Sequence, residues 1–204
     1  MRMTSVSVAL ALVMMAGCGR GPSRIHPPSI DAVTAGNAAM KQYDRDGDGA
    51  VAGNEIDQAP SLKAALKTLD TDGDGRITAG EVTARIREWQ ASKLGLTTLQ
   101  CEVTLDGAPL PGATVRYEPE AFLGPNVKPA SGVTDELGIA SLTIAESERQ
   151  DPLVSGAQCG LYLVRITKDV NGQERIPPRY NAATTIGGEV AHDMEIGSVF
   201  VLQQ

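Results

Sequence analysis

The sequence predicts a multidomain α+β chain: an all-α N-terminal region, then an antiparallel β-sandwich. Three observations carry this expectation. Two twelve-residue acidic runs, DRDGDGAVAGNE at 44–55 and DTDGDGRITAGE at 70–81, repeat a single arrangement. Apolar residues around them recur at three- and four-residue steps, the period of a helix face. Beyond about residue 96 the period falls to two, in short segments separated by loops rich in Gly, Pro, Asp or Asn.

The first element precedes the fold. MRMTSVSVALALVMMAGC, residues 1–18, has a basic Arg2, an apolar run of about a dozen residues and small residues before a cysteine. A run this short reads as an export signal and not as a membrane span. Ending in Met15-Ala16-Gly17-Cys18, it resembles the bacterial lipoprotein signal. That resemblance implies that Cys18 carries the lipid (a palmitate-type anchor) and becomes the new N-terminus. It also implies a place at the bacterial cell envelope, membrane-anchored on a periplasmic or cell-surface face. GRGPSRIHPPS, residues 19–29, reads as a flexible tether. With Cys18 lipidated, Cys101 and Cys159 remain as an even pair, and an exported setting favours a disulfide between them. Such a bridge would stabilise the fold by roughly 2–4 kcal/mol.

Residues 30–95 form the helical region. Val33, Met40 and Tyr43 fall on one helix face leading into the first acidic run. Pro60 interrupts the segment between the runs, so a short exit helix gives way to a new entry helix carrying Leu62, Leu66 and Leu69. Val82, Ile86 and Trp89 define the face of the helix after the second run.

The acidic runs hold eight of the chain's 25 acids, so the net charge of −7 has a local origin. That charge argues against nucleic acid, whose phosphates require a basic face. Two carboxylates about 4 Å apart repel by roughly 4 kcal/mol at an effective dielectric near 20, so a crowded set calls for a cation. Calcium takes six to eight oxygens, and a twelve-residue loop supplies them from positions 1, 3, 5, 7, 9 and 12, with Gly at 6 for the turn. In the first run the protein ligands are Asp44, Asp46, Asp48, the Ala50 carbonyl and Glu55, with Gly49 at the turn. In the second they are Asp70, Asp72, Asp74, the Arg76 carbonyl and Glu81, with Gly75 at the turn. Ala52 and Thr78 hold position 9.

Both runs satisfy the pattern D-x-[DN]-x-[DN]-G-x5-E in full and resemble the EF-hand family. The resemblance covers residues 30–93 and implies two Ca²⁺ ions. It also implies that the loops join through Val51 and Ile77 at position 8. Dockerin modules carry two similar loops, but usually end each in Asp; Glu55 and Glu81 favour the EF-hand. The second loop starts at residue 70, only 26 after the first. That short spacing keeps the intervening helices short and argues against a large sensor-style opening; an exported site, filled at the calcium level outside the cytoplasm, points to a structural calcium role.

In the strand-rich region, 96–204, TLQCEVTL, ATVRYEP, GIASLTI, GLYLVRIT and GSVFVLQQ are strand candidates. Several short strands with no helical pattern between them predict a sandwich of the immunoglobulin-like class. DGAPLPGATVRYEP, ASGVTDELGIASLTI and GLYLVRI resemble the carboxypeptidase regulatory-like, or transthyretin-like, domains. No catalytic constellation is present: His192 sits beside Asp193, whose side chain on a strand would point to the opposite face, and no G-x-S-x-G elbow occurs. The expectation is a calcium-binding, membrane-anchored lipoprotein, not an enzyme, with a structural or protein-interaction role beside an envelope protein partner that the sequence does not name. The alternatives are a surface adhesion or carbohydrate-binding protein and an accessory subunit of an exported enzyme complex.

Overall fold

The computed structural model describes residues 25–194 and 197–204. The expected export signal, its Cys18 and the first part of the expected tether lie outside the described residues. The helical half consists of α1 (Ala32–Tyr43), β1 (Ala50–Val51), α2 (Pro60–Ala64), α3 (Leu66–Leu69), β2 (Ile77–Thr78) and α4 (Ala79–Ala91). The strand-rich half consists of β3 (Leu99–Leu105), β4 (Ala108–Pro109), β5 (Thr114–Pro119), β6 (Ala130–Val133), β7 (Ile139–Ile144), β8 (Gly160–Thr167), β9 (Asp169–Val170), β10 (Gln173–Glu174), β11 (Gly187–Val190) and β12 (Ser198–Leu202). Among the described residues, no helix is long and apolar enough to cross a membrane.

Asp31 caps α1, its carboxylate accepting the Thr34 N–H at 3.0 Å. The buried face of α1 is Ala32, Ala35, Gly36, Ala39 and Tyr43. Of the expected Val33–Met40–Tyr43 face, Tyr43 is buried and Met40 packs against the core, but Val33 is half exposed. Small residues win because α1 and α4 cross closely. A Cβ at Gly36 would lie 2.4 Å from the Ala79 carbonyl oxygen. On α4 the expected Val82, Ile86 and Trp89 are all buried. Pro60 stands at the start of α2, where its missing N–H costs no helical bond.

The sheet runs in the order β11-β8-β5-β6-β7-β3-β12, with β4 beside β3; β9 and β10 form a separate hairpin. Every ladder is antiparallel except β12 against β3, which pair in parallel with Phe200 opposite Val103. The expected sandwich is therefore one continuous hydrogen-bonded sheet, curled into a half-barrel. Tyr117 on β5 meets Phe200 on β12 at 6.5 Å between ring centroids, and a 3.3 Å hydrogen bond links its hydroxyl to that of Ser198. Strands that far apart in the hydrogen-bonding order touch only when the sheet closes over its own apolar face. Tyr162, Val164 and Ile166 of β8 share a buried face by the two-residue period. Leu161 on the opposite face is equally buried, because the helical half covers it.

The division near residue 95 marks a change of fold class but not of core: buried residues of both halves form one hydrophobic cluster. Their contact is close. A Cβ at Gly187 on β11 would lie 1.9 Å from the Pro60 carbonyl oxygen. Residues 25–29, expected to be part of a tether, lie against the strand-rich half. His26 exchanges two hydrogen bonds with Gln150, and Asn126 donates to the Ser29 carbonyl.

The expected Cys101–Cys159 disulfide is absent; both are buried free thiols. Cys101 lies on β3 and Cys159 just before β8, with β5, β6 and β7 between those strands in the sheet order. Each thiol faces a different backbone N–H, of Ala140 and His192 respectively. Burial pushes both up to about 11, which keeps them protonated and unreactive near neutrality.

Candidate metal centre

The two acidic loops lie side by side, joined by β1 and β2. Val51 pairs with Ile77 and both are fully buried, as position 8 predicts. Within each loop, the first aspartate organises the turn. Asp44 accepts the N–H groups of Gly47 (2.7 Å) and Gly49 (3.0 Å). Asp70 accepts those of Gly73 (2.7 Å), Asp74 (3.1 Å) and Gly75 (2.8 Å). Gly49 and Gly75 adopt φ of 91° and 78°, a left-handed conformation costly for any residue with a Cβ.

This turn gathers the carboxylates. One ligand oxygen from each of Asp44, Asp46 and Asp48 lies within 4.8 Å of the others, and the same holds for Asp70, Asp72 and Asp74. The middle aspartates are exposed, and their Oδ1 atoms accept N–H groups two residues ahead: Asp46 from Asp48, Asp48 from Ala50, Asp72 from Asp74, Asp74 from Arg76. Lone pairs remain on these oxygens for a cation. The donor set is all hard oxygen, with neither His nor Cys in the loops, which fits calcium.

The twelfth-position glutamates fold back onto their own loops. Glu55 accepts from the N–H groups of Arg45 (2.7 Å), Asp46 (3.2 Å) and Ala52 (3.3 Å). Glu81 accepts from the Thr71 N–H (3.0 Å) and from Thr78 through both its N–H (2.8 Å) and hydroxyl (2.9 Å). Thr78 in turn accepts the Glu81 N–H, completing a capping box at the start of α4. Ala50 and Arg76, expected to offer carbonyls, sit at and just before the β1–β2 ladder.

Arg76 has a further role that its place in the pattern does not reveal. Its guanidinium crosses to the first loop and pairs with Asp48 at 2.7 Å. This bond holds the Asp48 carboxyl below the usual carboxylate range and pushes Arg76 up. Asp70 is lowered as well, chiefly by the Gly75 N–H.

The surroundings of the loops contain groups that sequence reasoning missed. Glu120, just after β5, is buried and accepts from Tyr43 (2.9 Å), Ser61 (2.5 Å) and Gln42 (3.1 Å). Glu189, on β11, is buried and accepts from Arg85 (2.6 Å), Thr68 (2.5 Å) and the Trp89 indole (3.3 Å). Arg85 also forks onto Asp193 with two 2.9 Å bonds and reaches Glu88 at 3.0 Å. Desolvation alone would lower Arg85, but these carboxylates outweigh it and push it above its ordinary value. Burial, then the charge of Glu120, raises the Tyr43 phenol. One signal pointed here: Arg85 stands within the Val82–Ile86–Trp89 stripe, where a charge needs a partner. His192 is exposed, while its neighbour Asp193 is engaged with Arg85.

Residues 62–84, spanning the second loop and its flanking helices, match the family model described as EF hand. The match and the carboxylate clusters together support calcium binding by an acidic loop. No curated protein is similar enough in sequence to count as a relative. Among solved structures, a 9R-lipoxygenase from Cyanothece PCC8801 aligns over 74% of this chain at 13% identity and a TM-score of 0.28. The chain spans 23% of that protein's length, and a likeness this weak carries no argument.

Proposed function

We propose that the protein is a structural calcium binder: an EF-hand pair holding one Ca²⁺ in each acidic loop, exported and lipid-anchored through Cys18 at a bacterial envelope. In this reading the strand-rich half is a transthyretin-like interaction module for an envelope protein. The single observation that supports calcium binding most is the convergence of three aspartate oxygens in each loop, within 4.8 Å, around a cradle of backbone N–H groups. Mutual repulsion opposes that convergence, and a divalent cation reverses its sign. Calcium outside the cytoplasm keeps even a site of ~10⁻⁵ M mostly filled, which fits a constant structural ion better than a switch.

Calorimetric titration of the processed chain with Ca²⁺ and Mg²⁺ tests the reading. The expected result is two ions bound with a clear preference for calcium. Glu55→Gln and Glu81→Gln should each remove one site, and heat indistinguishable from dilution for the parent chain overturns the proposal. The anchor is tested separately: labelled palmitate should enter the parent chain in a bacterial host and be lost in Cys18→Ser.

A further inference from the structure

We infer that Glu120 and Glu189 are positioning residues for the two acidic loops, each clamping the segments that enter and leave one loop at the separation its ligands require. This rests on the calcium reading above and extends it to residues outside the loops.

The argument is one of placement. The first loop begins at Asp44 and ends at Glu55. Glu120 accepts from Gln42 and Tyr43, at the end of α1 immediately before that loop, and from Ser61, in the first turn of α2 beyond it. The second loop begins at Asp70 and ends at Glu81. Glu189 accepts from Thr68, two residues before that loop on α3, and from Arg85 and Trp89, one and two turns beyond it on α4. Each carboxylate therefore bridges the two flanks of a single loop, and each comes from the strand-rich half. Glu120 and Glu189 are 2% and 6% exposed, and every buried polar side-chain atom among the described residues has a hydrogen-bond partner. Moving the two flanks apart would strand a buried carboxylate, which is far costlier than losing a bond in water.

The functional consequence follows from the ligand set. The first aspartate of each loop directly follows the entering helix; Glu81 lies in the first turn of α4, and Glu55 stands five residues before α2. The separation of the flanks therefore constrains the separation of those ligands. Fixing it from outside pre-organises the site, so less of the binding energy goes into ordering the loop. It also opposes the opening of the helix pair that calcium sensors use to expose an apolar groove.

Single-site backgrounds of the full chain test this. Glu81→Gln leaves the first loop to titrate, and Glu55→Gln leaves the second. Adding Glu120→Ala should weaken calcium binding by at least about fivefold, the equivalent of one kcal/mol, in the first background while leaving the second within twofold. Glu189→Ala should do the reverse. Should either alanine variant fail to fold, Ser61→Ala and Thr68→Ala remove one donor from each clamp and should give the same crossed pattern at smaller size. Glu120→Gln and Glu189→Gln keep an acceptor in place and should restore most of the affinity. Equal weakening of both loops by either variant, or none in the matched loop, overturns the clamp while leaving the calcium reading intact. A parent chain that binds no calcium overturns both.

Discussion

The protein holds two populations of carboxylates that solve the same electrostatic problem in opposite ways. Those of the loops stand partly in water, take hydrogen bonds from backbone N–H groups of their own turn, and keep lone pairs facing one another. Those of the junction, Glu120 and Glu189, are removed from water and each accepts three hydrogen bonds from side chains of the other half. The first arrangement is open to an added ion, whereas the second is closed by the protein's own donors. The difference teaches that burial and charge density are separable. A cation site here needs converging oxygens near solvent, whereas a joint between halves needs a buried carboxylate held by side chains from across the joint.

The sharpest way to break this comparison is to remove the closed kind. Glu189→Ala leaves the buried Arg85 without its innermost partner, and unfolding in urea should show a loss of roughly 3–5 kcal/mol, with or without calcium. Removing the guest from the open kind comes next. Chelation should lower stability by about 2.7 kcal/mol per site relative to calcium at 100 times its Kd, and Trp89 fluorescence should follow the change. Asp44→Asn should lose only the first site's share, about half of the loss that chelation causes in the parent. Thr78→Ala is smaller, costing about 1 kcal/mol through the lost cap of α4.

The smallest effect is on pH, at the rim of the junction. Asp193 is held below its ordinary carboxylate value, first by its bonds to Arg85. A depressed acid contributes stability above its unfolded value and loses it as pH falls through the folded one. The Asp193 share should therefore persist at pH 4 and fade only below it. Acid unfolding of Asp193→Asn, compared with the parent chain, isolates this step.

The same contrast explains what the sequence could disclose. Apart from the Arg76–Asp48 bond, the loop hydrogen bonds link residues two to ten apart, so each loop's acids, glycines and position-8 residue are written within a dozen residues. The junction bonds link residues 59 to 121 apart, and nothing near Glu120 or Glu189 announces a partner at that distance. Strand alternation disclosed β3, β5, β7, β8 and β12 to within a residue or two at either end. It missed β11, because Gly187-Gly188-Glu189-Val190 has neither strand propensity nor a period. Those glycines answer instead to the backbone of Pro60 on one side and the Tyr117 ring on the other. On α1 the expected face holds at Met40 and Tyr43 but not at Val33, for a related reason: close helix crossing rewards Ala and Gly. The predicted disulfide rested on an even count and an export signal, neither of which says where two thiols end up.

The approach of Gly187 to Pro60 has one last consequence. Two bodies held at backbone contact, over a core neither completes alone, cannot loosen by degrees. Heating should produce one calorimetric transition whose van't Hoff and measured enthalpies agree, not two. A chain cut near residue 95 should yield fragments that aggregate instead of modules that fold, because buried residues of both halves form one core.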